Sequence, residues 1–465
     1  MFEQAPSDVH ILFVRFVLFF FPHRDDGETA RTQEKRGTNP FTYDCSCIAQ
    51  VRNMANGVLR TGRVALALRL VAVWGPGLLV MLADTDAGNV VTAAQAGAQW
   101  GYRLLPLWLL LIPPLYMVQQ LTVRLGVFTG RGYAELIREH FGPWWAWISV
   151  AGLAIATVSS LVTEFTAVAG IGELYGLSRT LTLPFSCAML LLVATMGAYR
   201  RVERTAIVVG LFELAFFVVA WSSHPDHATV LRDLSHMPFG DRTFLYLTAA
   251  VIGATFNPWM VFYQQSGIVE KKLGPADYRS ACWDTAFGAV LTQALCAAVL
   301  IAVAATFGSA GKPVLENIGE VSLALQPALG PSIGRFVFGL GVLGAAMVAA
   351  IVASLALAWG VGEVAGFRHS LGERPAKAGW FHGAYVAGTL GSAALVWRVA
   401  DLVWLNIAAQ VVNVFLLPLV LGFLVALASK ALPAERRLRG WYRVVLIGVC
   451  CGVCAVGWIG GLSQL

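Results

Sequence analysis

Eleven apolar stretches follow one another along this chain with little between them, near 69–100, 102–128, 143–172, 180–198, 203–222, 241–270, 280–308, 333–366, 380–397, 401–428 and 441–461. A bilayer core takes about 20 apolar residues per helix, so the pattern predicts an all-α membrane protein with eleven spans. Hydrophobic residues make up 57% and charged ones 13%, with a mean hydropathy of +0.67, far from a soluble domain of average composition. The connections are short and leave no room for a soluble domain, so residues 54–465 read as a single transmembrane unit.

Two of the stretches carry groups that do not belong in lipid. In the first span lies Asp84-Thr85-Asp86-Ala87-Gly88-Asn89. Acidic side chains at bilayer depth are costly and face a cavity, an ion path or a partner. A glycine beside them lets the helix unwind and expose carbonyl oxygens, tolerated only where protein or water covers them. That combination suits a cation site; a helix end surfacing into water is the plainer alternative. In the sixth span lies Gly253-Ala254-Thr255-Phe256-Asn257-Pro258-Trp259-Met260, where proline removes a backbone donor and breaks the helix. The first and the sixth spans occupy corresponding positions in two halves of five. Paired interruptions of this kind mark inverted-repeat transporters, with the ion site at the midplane between two discontinuous helices.

Lysine and arginine set the orientation. They gather in alternate connections, as Arg60, Arg63 and Arg69 before the first span, Arg200, Arg201 and Arg204 after the fourth, and Lys430, Arg436, Arg437, Arg439 and Arg443 before the last. The intervening side is poor in them, which predicts a cytoplasmic N-terminus, an outer C-terminus and the cell membrane as location. The net charge of +6 follows from this bias and implies no nucleic-acid partner. Residues 1–53 do not fit the pattern. Ile11 to Phe21 is apolar but too short to span, carries Arg15, and leads into a charged run without a clear small-residue cleavage site. Met54 is therefore expected to be the true start, with 1–53 an upstream extension. Cysteines indicate no disulfide framework, and Cys451-x-x-Cys454 lacks the second pair of a zinc site, which favours helix packing.

Together these residues resemble the Nramp family of divalent-metal transporters over roughly 68–465. The family's Asp-Pro-Gly-Asn is similar to Asp86-Ala87-Gly88-Asn89, preceded by Gly75-Pro76-Gly77. Its Gly-Ala-Thr-x-Met-Pro-His is similar to Gly253-Ala254-Thr255-Phe256-Asn257-Pro258-Trp259, and its Gln-Val-Val to Gln410-Val411-Val412 with Pro418 beyond. Gln95-Ala96-Gly97-Ala98 and Arg124-Leu125-Gly126-Val127-Phe128-Thr129-Gly130 also resemble it. The resemblance implies a LeuT-like fold of two inverted five-helix repeats working by alternating access. It implies a transported metal rather than a cofactor and no enzymatic reaction; a monomer in the bilayer is the default expectation. The expected metal site is Asp86, Asn89, Asn257, Gln410 and Asp84 with carbonyls near Ala87 and Ala254.

Departures from the family pattern bear on the substrate. The sixth-helix methionine, a soft ligand suited to manganese or iron, is Asn257 here, and the extra carboxylate Asp84 stands where the family has an aromatic residue. An oxygen-rich site suits Mg²⁺, which is held by a few carboxylates and keeps waters; the pattern resembles the Nramp-related magnesium branch, which also accepts Mn²⁺. The two sixth-helix histidines that would titrate near neutral pH are Trp259 and Gln264. Of the third-helix acidic pair only Glu164 matches, the other position falling on Ser160 or Leu161. Transport without obligatory proton symport is thus expected, with a proton-coupled Mn²⁺/Fe²⁺ importer and a non-transporting metal sensor as alternatives. Glu164 reads either as a residual relay or vestibule charge or as a buried hydrogen-bonded acid. Asn413, one turn from Gln410, either lines the cavity or bonds a neighbouring helix. Glu135 and Glu139 beside Arg131 and Arg138 read as solvated pairs, and the outer cluster of His224, His227, His236, Asp226 and Asp233 as a solvated loop.

Overall fold

Pro76 opens the first membrane helix and Asp84 ends it after nine residues, far too soon to cross a bilayer. The computed structural model describes residues 73–194, 196, 198–307, 315, 320–322, 330–366, 378–398 and 402–463. Residues 1–53 and Met54 lie outside the described residues, and every regular element within them is a helix. The first span is α1 (Pro76–Asp84) and α2 (Ala87–Trp100). The second is α3 (Leu105–Leu110) with α4 (Ile112–Thr129). After a short α5 (Tyr133–Phe141) come α6 (Pro143–Leu174) and α7 (Arg179–Ala194). The fifth span is α8 (Tyr199–Gly210), a 3₁₀ turn over Leu211–Leu214, and α9 (Ala215–Ser222). Beyond a short helix α10 (His227–Ser235), the sixth span is α11 (Arg242–Thr255) and α12 (Pro258–Glu270). Four long helices follow, α13 (Tyr278–Phe307), α14 (Pro331–Ala365), α16 (Leu402–Lys430) and α17 (Gly440–Leu462), with the 18-residue α15 (Gly379–Val396) between α14 and α16.

Length and apolarity alone select eight of these helices as able to cross a membrane among the described residues. The other three expected spans coincide with the broken α1/α2 pair, the 16-residue α7 and the less apolar α15. Burial separates the helices. The span Arg242–Glu270 is 89% buried, whereas Gly440–Leu462 is 28% buried and lies at the periphery. This corrects the expectation for Cys451, which is exposed on α17 rather than packed inside. Trp144, Trp397 and Trp441 are exposed at helix ends, where aromatic belts lie.

The two breaks have local causes. At the first, the Thr85 N–H turns back to the carbonyls of Leu82 and Met81, and Asp86 adopts extended backbone (φ −64°, ψ 170°). Asp86 then caps α2, its Oδ1 accepting from the Asn89 N–H at 2.6 Å, a bond worth about 1 kcal/mol at a helix start. At the second, Phe256 and Asn257 leave helical geometry and Pro258 restarts the helix at its first position, where its missing N–H costs nothing.

Buried polar ties hold α1 from below. Asp284 on α13 accepts from the N–H groups of Gly75 (3.1 Å), Gly77 (2.8 Å) and Leu78 (3.1 Å), satisfying donors that no intrahelical partner reaches. Beside it Lys271 donates to the Trp74 carbonyl (2.8 Å) and pairs with Glu203 (2.9 Å), both charged side chains almost wholly buried. Glu203 is therefore a core ion-pair partner. On the same side Glu363 of α14 caps α5 through the Ala134 N–H (2.9 Å) and accepts from Ser266 (2.6 Å). Glu135 and Glu139 pair with Arg131 in solvent as expected. At the opposite end Asp233 departs from the expected solvated loop. It is buried, accepting from the Tyr102 N–H at 3.2 Å and pairing with Arg103 at 3.3 Å, and so clamps α10 onto the end of α2.

Asp284→Ala strands three buried N–H donors and is expected to destabilise the fold by about 2–4 kcal/mol, while Asp284→Asn, which keeps one acceptor, loses less. Thermal unfolding of the purified protein in detergent reads the difference, and equal midpoints for all three proteins would show that the cap is dispensable.

Candidate cation site

The two breaks face each other, and one small side chain bridges them. Asn89, in the first turn of α2, donates through Nδ2 to the Asp84 carbonyl (2.5 Å) and to the Ala254 carbonyl (3.0 Å). From the other break Asn257 Nδ2 also reaches the Ala254 carbonyl (2.8 Å) and lies 3.4 Å from Asp86 Oδ2. Asn413 on α16 donates to Asn257 Oδ1 (2.6 Å) and to Gln410 Oε1 (3.1 Å). Asp84, Asp86, Asn89, Asn257, Gln410 and Asn413 are thus one connected group, each 2% exposed or less.

Two glycines make this approach possible. A Cβ at Gly88 would lie 1.6 Å from Gln410 Nε2, and one at Gly253 would lie 2.0 Å from the Gln410 carbonyl oxygen. Glycine at these positions lets α16 press against both breaks.

Several atoms in the group have no hydrogen-bond partner among the described residues: Asp84 Oδ1, Asn89 Oδ1, Asn413 Oδ1 and Gln410 Nε2. Three of the four are acceptors. Buried acceptors without donors are costly in a membrane interior, and a cation is the ligand that satisfies several oxygens at once. A half-turn of the Gln410 amide would add its oxygen to the same set. None of the hydrogen-bond partners of Asp84, Asp86 and Glu164 among the described residues is a lysine, arginine or histidine.

The expected residues fall as follows. Asp86, Asn89, Asn257 and Gln410 come together, Asn413 joins them, and the Ala254 carbonyl lies among them. Asp84 leans to one side, its Oδ2 3.5 Å from the Thr292 hydroxyl on α13, which itself lies 2.9 Å from the Thr85 hydroxyl. Ala87 differs from expectation. It starts α2, so its carbonyl lies within the helix, and its N–H donates to Glu164 Oε2 at 3.2 Å. The carbonyl engaged at the first break is that of Asp84. Glu164 also accepts from Thr163 (3.1 Å) and is, in this arrangement, a buried hydrogen-bonded acid that steadies the start of α2.

The positions around the site are neutral. Trp259 Nε1 donates to Ser160 Oγ at 3.2 Å. Gln264 accepts from Thr122 (2.5 Å) and donates to Thr285 (2.7 Å). The sequence reading passed over Glu213, a fully buried acid in the 3₁₀ turn of the fifth span. Its presence inside an apolar run was the available signal, the same one that marks Asp84.

An all-helical bundle with two facing helix breaks and a buried oxygen-lined group between them defines a membrane transporter of small cations. The sequence profile described as "Natural resistance-associated macrophage protein-like" matches residues 77–462, and the chain belongs to that Nramp family. Membership makes it an integral membrane transporter of divalent metal ions and not an enzyme. Among solved structures it is similar to the manganese transporter of Eremococcus coleocola in complex with an aromatic bis-isothiourea substituted compound, at 19% identity and a TM-score of 0.66, over 85% of this chain and 87% of that one. It is also similar to a Na⁺-coupled sialic acid symporter (12% identity, TM-score 0.55, 84% and 89% covered). MhsT in complex with L-phenylalanine matches at 13% identity and a TM-score of 0.54, over 84% of this chain and 98% of that one. These likenesses establish the LeuT-like fold expected from the family resemblance.

The glycines separate packing from site geometry. Gly253→Ala meets backbone and is expected to cost about 1–3 kcal/mol or more by overpacking. Gly88→Ala meets only the end of a side chain and is expected to leave stability nearly unchanged while displacing Gln410 and weakening metal binding. Thermal unfolding alongside a metal-binding titration checks both, and a stable Gly253→Ala protein would contradict the close approach of α16.

Proposed function

We propose that this chain moves Mg²⁺ and Mn²⁺ into the cytoplasm by alternating access, without obligatory proton symport. Asp86, Asn89, Asn257 and Gln410 are the proposed ligands, with Asp84 and the Ala254 carbonyl completing the set and Asn413 orienting the amides. The observation that carries the reading is Asn257. It stands at the second break within reach of Asp86, Ala254 and Asn413, so a hard amide occupies the place where a thioether would select softer metals. A site built of carboxylates, amides and carbonyls suits a small hard ion that keeps some of its waters.

Support for uncoupled movement comes from the neutral contacts. The indole of Trp259 and the hydroxyl of Ser160 bond to each other, and Gln264 lies between two threonines. None of these side chains titrates near neutral pH. Voltage supplies a sufficient drive, since a membrane potential contributes about 2.3 kcal/mol per elementary charge per 100 mV, about twice that for a divalent ion. The basic connections favour a cytoplasmic N-terminus and residence in the cell membrane.

Proteoliposomes containing wild-type protein are expected to take up Mg²⁺ saturably, with no accompanying change in internal pH, and Asp86→Ala to reduce uptake to background. Normal Mn²⁺ uptake without Mg²⁺ uptake, or acidification in step with the metal, would favour a proton-coupled manganese importer. Asn257→Met is expected to shift the Mn²⁺/Mg²⁺ uptake ratio toward Mn²⁺ by about tenfold, equivalent to ~1.4 kcal/mol.

A further inference from the structure

Glu213 has no place in the ligand set above, yet it is among the most constrained side chains in the protein. It is fully buried, and among the described residues neither carboxyl oxygen has a hydrogen-bond partner of good geometry, the Thr85 hydroxyl being the polar group that acts on it. It projects from the 3₁₀ turn Leu211–Leu214, where the fifth span departs from α-helical geometry between α8 and α9. The preceding Gly210 locates the carboxyl: a Cβ there would lie 3.1 Å from Leu82 Cδ1 and 3.5 Å from Glu213 Oε1. The acid therefore lies alongside the last turn of α1, next to the first break. The groups acting on it are Thr85, Asp86 and Asp84, none positively charged.

A second set of oxygens gathers on this side of the break. Thr85 Oγ1 and Thr292 Oγ1 are 2.9 Å apart, Thr292 lies 3.5 Å from Asp84 Oδ2, and Asp84 Oδ1 is itself unpartnered. Asp84 leans toward Thr292, whereas Asp86 is bound to Asn89 and Asn257 on the other side. Asn257 acts on Asp84 as well, so Asp84 stands between the two sets of oxygens. An ion pair could offset a buried acid only with a cationic side chain beside it, and the groups acting on Glu213 provide none.

We propose that Glu213, with Asp84 and the hydroxyls of Thr85 and Thr292, forms a second cation site, in which a partly hydrated divalent ion rests before or after it occupies the Asp86–Asn89–Asn257 site. Asp84 is shared between the two positions and passes the ion from one to the other. The oxygens are hard and the hydroxyls are weak ligands, so the site takes a hard ion through its retained waters and releases it readily. Release matters, because a conducting pathway needs binding strong enough to admit the ion and weak enough to let it go. This proposal rests on the transport reading above.

The test is Mg²⁺ and Mn²⁺ uptake by proteoliposomes of wild type, Glu213→Gln and Glu213→Asp, with internal pH followed in parallel. Metal-induced thermal stabilisation of the same purified proteins is measured beside it. Glu213→Gln is expected to raise KM about tenfold while the stabilisation conferred by metal at the Asp86 site is kept, and Glu213→Asp to restore most of the uptake. Unchanged KM in Glu213→Gln would overturn the second site. So would loss of metal-induced stabilisation in both variants, which would make the acid a structural element, or pH movement that disappears only in Glu213→Gln, which would make it a proton carrier. Absence of uptake by wild type would refute the transport reading itself, so the two failures are distinguishable.

Discussion

Backbone left unwound at bilayer depth is the constraint on which this structure depends. Between Asp84 and Ala87, and between Thr255 and Pro258, some N–H and C=O groups lack a helical partner and bulk water, and each such group costs several kcal/mol if left alone. Side chains answer them one by one. Asp86 takes the Asn89 N–H, Glu164 takes the Ala87 N–H, and Asn89 and Asn257 both donate to the Ala254 carbonyl. The answering side chains are amides and carboxylates, and each has more than one polar atom. Once one atom has satisfied the backbone, the other is left facing the gap, as Asn89 Oδ1 is. Closing the breaks and furnishing a cation site are thus the same act, performed by the same residues.

The short first helix is held at both ends by different means. At its N-terminal end Asp284 and Lys271 bind the backbone at Trp74 to Leu78 from the seventh span and from the end of the sixth. Glu203 adds the fifth span through the Lys271 ion pair. At its other end α1 stops beside the metal-site acids. A rigid nine-residue rod tied below to three spans and above to the site can report the state of one end to the other, since interiors packed this tightly shift between discrete arrangements rather than deform smoothly. Gly75, with φ +147° and its Cβ direction filled by Glu203 and Lys271, makes the N-terminal tie possible; a side chain there would push the ion pair away.

Much of this was legible in the sequence, for reasons that also explain what was not. Asp86, Asn89, Asn257 and Pro258 announce themselves because a polar or helix-breaking residue inside an apolar run reports a local exception, and Gln410 follows from family resemblance. Glu213 and Asp284 are exceptions of the same kind, but neither has a glycine-acid or proline signal beside it. Their meaning also lies in partners far along the chain; Asp284 caps a helix 207 residues earlier. Ala87 was expected to give its carbonyl and gives its N–H instead, because the break falls before it and it is already the first residue of α2. Asp233 and Cys451 were misplaced because composition cannot say which face of a short helix docks or which face of a peripheral one meets lipid. Periodicity reports depth in the membrane well, and reports lateral neighbours poorly.

The departures from the family pattern make physical sense only together. An acid left in the third span with no histidine to face would be a buried unpaired group, and an indole put in place of the histidine would bury an N–H with no acceptor. The Ser160 hydroxyl oxygen answers the indole by accepting from Trp259. Gln264 is likewise anchored on both sides by threonine hydroxyls. The charge that remains is concentrated at the first break, in Asp84 and Asp86, with Glu164 and Glu213 behind them. On the proposed reading, a divalent ion offsets the two acids of the break by itself. It needs no proton to balance its charge on entry, and the membrane potential acts on the whole of that charge.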